Sequence, residues 1–221
     1  MEKVRILEIK ESVFADNDRQ ADQLRARLKE KGVFLMNLMS SPGSGKTTTL
    51  KKTIEALKND FRIGVMEADI DSDVDALAIA ETGAKAIQLH TGGMCHLDAD
   101  MTRQGLKGLG TDDVELVILE NVGNLVCPAM FDLGESKKVV IVSTTEGDDK
   151  PLKYPHIFQE ADICVINKID LAPYLNTKVE VLRENALKVN HHLQIFEVSA
   201  TKGDGMDAWC DWLQTESAKC K

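Results

Sequence analysis

A chain of 221 residues, 43% hydrophobic and 29% charged, is long enough for one domain with a substantial core, short for two, and unlike a disordered chain in composition. Its 27 basic and 36 acidic residues leave a formal charge of −9, and no stripe of Lys and Arg is present to displace counterions from DNA or RNA, so no nucleic-acid partner is expected. The apolar runs at 33–39, 116–119 and 139–142 fall short of the roughly 20 residues that cross a bilayer, and Met1-Glu2-Lys3 leads into charged, alternating sequence unlike a secretory signal. No membrane association and a cytoplasmic location are therefore expected.

In chain order, the first sixteen residues have no clear pattern and read as a loose arm or a small edge element. From Asn17 to Lys31, Ala21, Leu24 and Leu28 recur at helical spacing, and Gly32 stops the helix. Val33 to Met39 is a continuous apolar run, as expected for a strand buried on both faces and central in a parallel sheet. A glycine-containing loop and a helix from Thr48 to Lys58 follow. Further strands are expected near Phe61 to Glu67, Ala86 to Leu89, Val114 to Leu119, Lys138 to Ser143, Ile163 to Asn167 and Gln194 to Val198, with amphipathic helices between them. This alternation predicts an α/β fold, a doubly wound, mostly parallel sheet flanked by helices, of the P-loop NTPase kind. Residues 1–221 are expected to form one nucleotide-binding domain, with an N-terminal arm and helix over about 1–31. The loops at the carboxyl ends of the strands then share one edge, where ligands bind.

Ser40-Ser41-Pro42-Gly43-Ser44-Gly45-Lys46-Thr47 follows the first apolar strand and opens a helix, the context of a phosphate loop. Its glycines let the backbone of Pro42, Gly43, Ser44, Gly45, Lys46, Thr47 and Thr48 curl its amides around the phosphates. The helix N-terminus favours negative charge, Lys46 reaches the β and γ phosphates, and Thr47 holds magnesium. Ser40 stands where the usual pattern has its first glycine. The bland alternative is a glycine-rich turn before a helix.

Asn167-Lys168-Ile169-Asp170 follows the strand at Ile163 and reads as a guanine-recognition loop. The Asp170 carboxylate accepts from both the ring NH and the exocyclic amine of guanine, a donor pair that adenine lacks. Ser199-Ala200, after the next strand, matches the second base-reading loop. Alone, the first of these motifs is equally a polar turn capping a helix; with the phosphate loop upstream it selects GTP.

Glu120-Asn121-Val122-Gly123 ends a strand where GTPases carry an acidic residue followed three later by glycine. Gly123 offers its NH to the γ phosphate, and Glu120 acts near magnesium through a water. Asp69 is the second expected magnesium-side carboxylate, and Asp75 is the candidate for orienting the attacking water. Asp71, Asp73 and Asp75 equally suit a solvated helix start favoured by the helix dipole.

Five cysteines, an odd number and widely spaced, do not suggest a disulfide framework. Cys95-His96 follows Gly92-Gly93, and Cys127-Pro128 lies four residues after Gly123. Two thiolates and an imidazole suit zinc or nickel. Neighbours on a helix sit about 100° apart, so Cys95 and His96 must converge from the loop before a helix. Four extended residues reach at most about 14 Å, which keeps a metal at Cys127 near the γ-phosphate loop. Three ligands leave a preferred sphere of about four incomplete, so a nucleotide-dependent homodimer sharing the metal is expected. Cys164 reads as core, Cys210 lies beside Trp209 and Trp212, Cys220 is in a tail, and His191-His192 is a solvated turn. His90, His156 and Lys153 remain unassigned.

These motifs, with Gly93-Met94-Cys95-His96-Leu97, Thr145-Glu146-Gly147-Asp148-Asp149-Lys150 and Lys153-Tyr154-Pro155, resemble the HypB family from about Gly32 onward. The resemblance implies a GTPase of the SIMIBI class, shared with signal-recognition and partition proteins, that works as a homodimer. It also implies a metallochaperone that helps deliver nickel to the large subunit of nickel-iron hydrogenase with a HypA-like companion, and a switch-region metal site at Cys95, His96 and Cys127 bridging subunits. The cysteine-rich motif or histidine run that some members carry near the N-terminus is not found here, so nickel delivery would rely on the switch site or a partner. Three other functions compete: a urease-type nickel GTPase, a nucleotide-regulated scaffold with a structural zinc, and an ATP-dependent small-molecule kinase.

Overall fold

Seven consecutive buried residues, Phe34–Ser40 (β1), run through the middle of the protein, as an apolar run does when both faces of a parallel sheet are covered. The computed structural model describes residues 9–69 and 78–220. The other strands are β2 (Ile63–Asp69), β3 (Lys85–His90), β4 (Leu116–Glu120), β5 (Lys137–Ser143), β6 (Ile163–Asn167) and β7 (Gln194–Glu197). They form one sheet in the order β3-β2-β4-β1-β5-β6-β7, and every pairing is parallel. The expected strands are thus present, their bounds shifted by at most two residues.

Among the described residues, five longer helices cover the sheet: α1 (Ile9–Glu30), α2 (Lys46–Leu57), α3 (Ala99–Leu109), α4 (Val179–Val189) and α5 (Met206–Ala218). Leu50, Ile54 and Leu57 of α2 pack with Trp209 and Leu213 of α5 onto Phe34, Met36 and Leu38. On the opposite face Leu24 and Leu28 of α1 and Leu106 and Leu109 of α3 cover Leu35, Val117 and Leu119. Ile157, Phe158 and Leu182 close that face over Val140, Cys164 and Ile166. Each such side chain contributes about 1.5–3 kcal/mol on burial.

Helix α1 begins eight residues before the expected start at Asn17. Its added turns gain a partner that local pattern does not reveal, because the Phe14 and Phe131 rings lie 5.2 Å apart. Gly32, at φ +68, ends the helix in the left-handed region. The expected arm, as far as it concerns residues 1–8, lies outside the described residues. Strand order reverses on either side of β1, whose neighbours are β4 and β5. Ligands bind at such a switch point, beyond the carboxyl ends of the strands.

Candidate nucleotide and metal site

Between β1 and α2 the chain turns through Gly43 and Gly45, both at positive φ. Gly45 is the N-cap of α2, and a Cβ there would lie 2.5 Å from Asn167 Nδ2, so only glycine fits. Ser40, the departure from the usual motif, is fully buried at the end of β1. Its hydroxyl donates to the Ser41 carbonyl at 2.7 Å and accepts from Ser44 Oγ at 2.7 Å, bracing the turn from within. Lys46 and Thr47 occupy the first turn of α2. Thr47 Oγ1 donates to Glu120 Oε1 at 3.2 Å, and Lys46 Nζ lies 3.9 Å from the same oxygen. Gly123 approaches Pro42 so closely that a Cβ on it would lie 3.1 Å from the proline ring. Gly123 and the loop after β1 therefore meet at the wall of a cleft of about 540 Å³.

Two residues of this cleft were not anticipated. Glu67 pairs in register with Glu120 on one side and Gln88 on the other, so one row of polar side chains crosses β4, β2 and β3 beside Lys46 and Thr47. Glu67 and Glu120 are both buried. For Glu67 the sequence signal is a carboxylate ending the apolar run of β2, where the sequence alone points to Asp69. The backbone of β2 continues through Asp69; its side chain, and Asp71, Asp73 and Asp75 entirely, lie outside the described residues. The oxygen-rich set of Thr47, Glu67 and Glu120 fits magnesium, a hard cation that prefers such donors.

The residues expected to read the base converge on the expected phosphate loop. Asn167 Nδ2 donates to the Ser44 carbonyl at 3.0 Å and to Thr49 Oγ1 at 3.3 Å, while its Oδ1 accepts from Lys168 N at 2.8 Å and Ala200 N at 3.2 Å. Among the described residues Lys168 is the one non-glycine at positive φ, +60. That conformation is held by Thr144 Oγ1 on its carbonyl at 2.7 Å and by its own ammonium on the Gly43 carbonyl at 2.6 Å. Ser199 Oγ donates to Asp170 Oδ1 at 2.7 Å. From the motif at 145–150, Glu146 accepts from the hydroxyl of Ser41 and from Ser143 N at 2.8 Å, tying that motif to the phosphate loop. Sequence reasoning assigned Glu146 no role.

Cys95 and His96 lie in the loop before α3, as expected, and Asp98 caps that helix through Met101 N at 2.8 Å. Cys127 starts a short 3-10 turn whose amides at Val126 and Cys127 bond Asn124 Oδ1 at 2.7 and 3.2 Å. The thiols of Cys95 and Cys127 are neighbours: the Cys95 side chain, followed by burial, pushes the Cys127 thiol up. His96 Nδ1 lies 3.9 Å from Cys95 Sγ, and its ring stacks on Phe131 with centroids 4.1 Å apart. The structure thus brings the two thiols together and the imidazole alongside. Among the described residues, however, no three His, Cys, Asp or Glu side chains already converge on one metal position. Two adjacent sulfurs with an imidazole remain a donor set suited to zinc or nickel. Cys164 and Cys210 are buried core residues, and burial pushes their thiols up to about 12 and about 11.

The nucleotide-binding domain profile of the CobW/HypB/UreG family matches residues 34–197. Hydrogenase maturation factor HypB of Escherichia coli K12 is 48% identical over 98% of this chain and 74% of its own length. The crystal structure of hydrogenase maturation factor HypB from Archaeoglobus fulgidus superposes with a TM-score of 0.86 at 42% identity, covering 92% of this chain and 99% of that one. That of HypB from Helicobacter pylori in complex with nickel gives 0.86 at 36% identity, covering 92% and 96%.

Proposed function

The chain belongs to the CobW/HypB/UreG family of nucleotide-binding proteins and, within it, to the HypB group; from that premise we propose that it hydrolyses GTP and uses the cycle to hand nickel to a maturing nickel-iron hydrogenase. Residues 1–221 act as one GTP-binding unit in the cytoplasm, and no helix among the described residues is long and apolar enough to cross a membrane. Its partners are a second copy of the chain, a HypA-like companion and the hydrogenase large subunit.

Amides between Pro42 and Thr48 receive the phosphates, Lys46 neutralises the charge shared by the β and γ groups, and the Gly123 NH contacts the terminal phosphate. Asn167, Lys168, Asp170, Ser199 and Ala200 hold the base. Thr47 and Glu120, together with Glu67 and Asp69, would hold magnesium, which supplies positive charge against the phosphate oxygens. Asp75 is assigned the attacking water by sequence pattern alone.

Nickel is cargo, taken by Cys95, His96 and Cys127, with zinc as a competing occupant. The observation that carries this reading is the placement of Cys127 against Cys95, on a turn that starts four residues after Gly123. Closing Gly123 onto a terminal phosphate shifts the Cys127 turn, and a twofold partner completes the coordination. Linkage then requires metal to change GTP affinity by the same factor that GTP changes metal affinity. Titration of nickel and zinc against the protein with GDP and with a non-hydrolysable GTP analogue tests this. The expected result is different affinity in the two states and binding shared between two subunits; identical isotherms with one ion per monomer would refute it.

A further inference from the structure

Asn37 interrupts the apolar sequence of β1 and is fully buried at its centre. An amide there costs stability unless every group is bonded, about 1–3 kcal/mol for each left unsatisfied. Its Oδ1 accepts from Asn121 Nδ2 at 3.1 Å, and its Nδ2 donates to Glu135 Oε1 at 3.1 Å. Asn121 Oδ1 in turn accepts from Val122 N at 2.9 Å, and Glu135 Oε2 accepts from Leu133 N at 2.7 Å.

The direction of this chain is set at its ends. Val122 N can only donate, so Asn121 must present its oxygen there and its NH2 to Asn37. Asn37 must then present its own NH2 to Glu135, which accepts. Flipping any amide breaks a junction.

Asn121 and Glu135 are the two ends of the loop joining β4 to β5. One side chain on β1 therefore closes that loop, which carries Gly123, Cys127 and Phe131 between its fastened ends. The loop is also tied to the other thiol's segment. Arg25 pairs with Asp132, Asn17 Nδ2 donates to the Asp132 carbonyl at 2.9 Å, and Asn17 Oδ1 accepts from Ala99 N at 2.9 Å, three residues after His96. The His96 ring lies on Phe131. Such a loop has few ways to deform locally, so displacement at Gly123 is carried to Cys127.

We propose that Asn37 is a positioning residue which, through Asn121 and Glu135, makes the 121–135 loop respond as one body, so that the effect of GTP on metal affinity passes through it. This rests on the GTP-dependent metal site proposed above. Neither Asn37 nor Glu135 touches the thiols or lines the nucleotide cleft, so their loss should spare each binding event while uncoupling the two.

The test compares the full-length protein with Asn37→Leu and Glu135→Gln. The glutamine keeps the length and one carbonyl oxygen, yet its NH2 meets another donor and frustrates the directed chain. It serves if Asn37→Leu fails to fold. Nickel affinity is measured by chelator competition with GDP and with a non-hydrolysable GTP analogue, and nucleotide affinity is measured separately. In the parent the analogue changes nickel affinity by at least about fivefold; in the variants the factor falls to near one, while nickel affinity with GDP and analogue affinity stay within about threefold of parental values. Variants that keep the parental factor would overturn the role of Asn37 alone. A parental factor of one would overturn the GTP-dependent metal site and this inference with it.

Discussion

The Ser199 hydroxyl donates to Asp170 Oδ1 at 2.7 Å, so the loop after β7 orients the carboxylate supplied by the loop after β6. Under the proposed function, a carboxylate held this way would accept from both donors on the guanine edge. Asp170→Asn replaces one acceptor with a donor, which suits xanthine, whose exocyclic group is a carbonyl. We expect GTP affinity to fall by about 100-fold, the equivalent of one or two charge-assisted hydrogen bonds, and xanthosine triphosphate to become the preferred ligand. Fluorescent-nucleotide competition measures both; unchanged GTP binding would return an ATP-using kinase to consideration.

Glu146 holds Ser41 of the phosphate loop with one oxygen and Ser143 with the other. Removing it leaves the fold's apolar layers intact but frees the loop to adopt geometries that do not match a triphosphate. Glu146→Ala should raise the KM for GTP by about tenfold, roughly the worth of one hydrogen bond to a charged group. Glu146→Gln, which retains one acceptor, should fall between parent and alanine. Steady-state hydrolysis rates over a GTP series separate these outcomes from a uniform loss of kcat.

The cysteines divide by environment. Burial shields Cys164 and Cys210 and pushes their thiols up to about 12 and about 11, whereas Cys95, Cys127 and Cys220 are partly exposed. Brief alkylation followed by mass spectrometry should label Cys95, Cys127 and Cys220 before Cys164 and Cys210, and nickel or zinc should protect Cys95 and Cys127 but not Cys220. Cys127→Ser should abolish metal binding and leave GTP affinity unchanged with GDP-loaded protein as reference. Protection that persists in that variant would move the metal elsewhere.

Glu135 is an acid whose pKa burial raises from 4.5 to about 7, with Asp132 facing it and adding to the rise, while Lys138 opposes it. Arg25 also faces the pair and bonds Asp132. The folded protein therefore holds a proton that the unfolded chain has released between pH 4.5 and 7. Stability from this group falls as pH rises through that window, by up to about 3 kcal/mol, and levels off above it. Urea denaturation of parent and Glu135→Gln from pH 5 to 8 checks the sign. The stability of the parent relative to the variant should decline with pH; a rise would contradict the assignment.

Much of the fold, and most residues of the candidate nucleotide cleft, could be read locally. Strand β6 begins where its apolar run does and ends one residue past it, at Asn167, and Gly-Lys-Thr after a buried strand marks the expected phosphate loop without any tertiary knowledge. Asn37 could not be read in this way. It looks like an isolated defect in an apolar strand, because its partners lie 84 and 98 residues away. Glu67 was passed over for Asp69 because strand register, which alone places Glu67 beside Glu120, depends on pairing between distant segments. The start of α1 was missed for the same reason, since Phe14 faces a ring from residue 131.

The order of the strands has a consequence for how the protein is made. β1 is synthesised early, yet its two neighbours are β4 and β5, with Phe34 beside Leu116 and Met36 beside Lys137. A ribosome must therefore release more than half the chain before this central strand gains either companion. Closing such distant contacts slows folding and leaves sticky segments exposed meanwhile. The nascent chain is consequently most vulnerable to aggregation before residue 120 emerges, and its nucleotide pocket cannot exist until long after its signature motif has been translated.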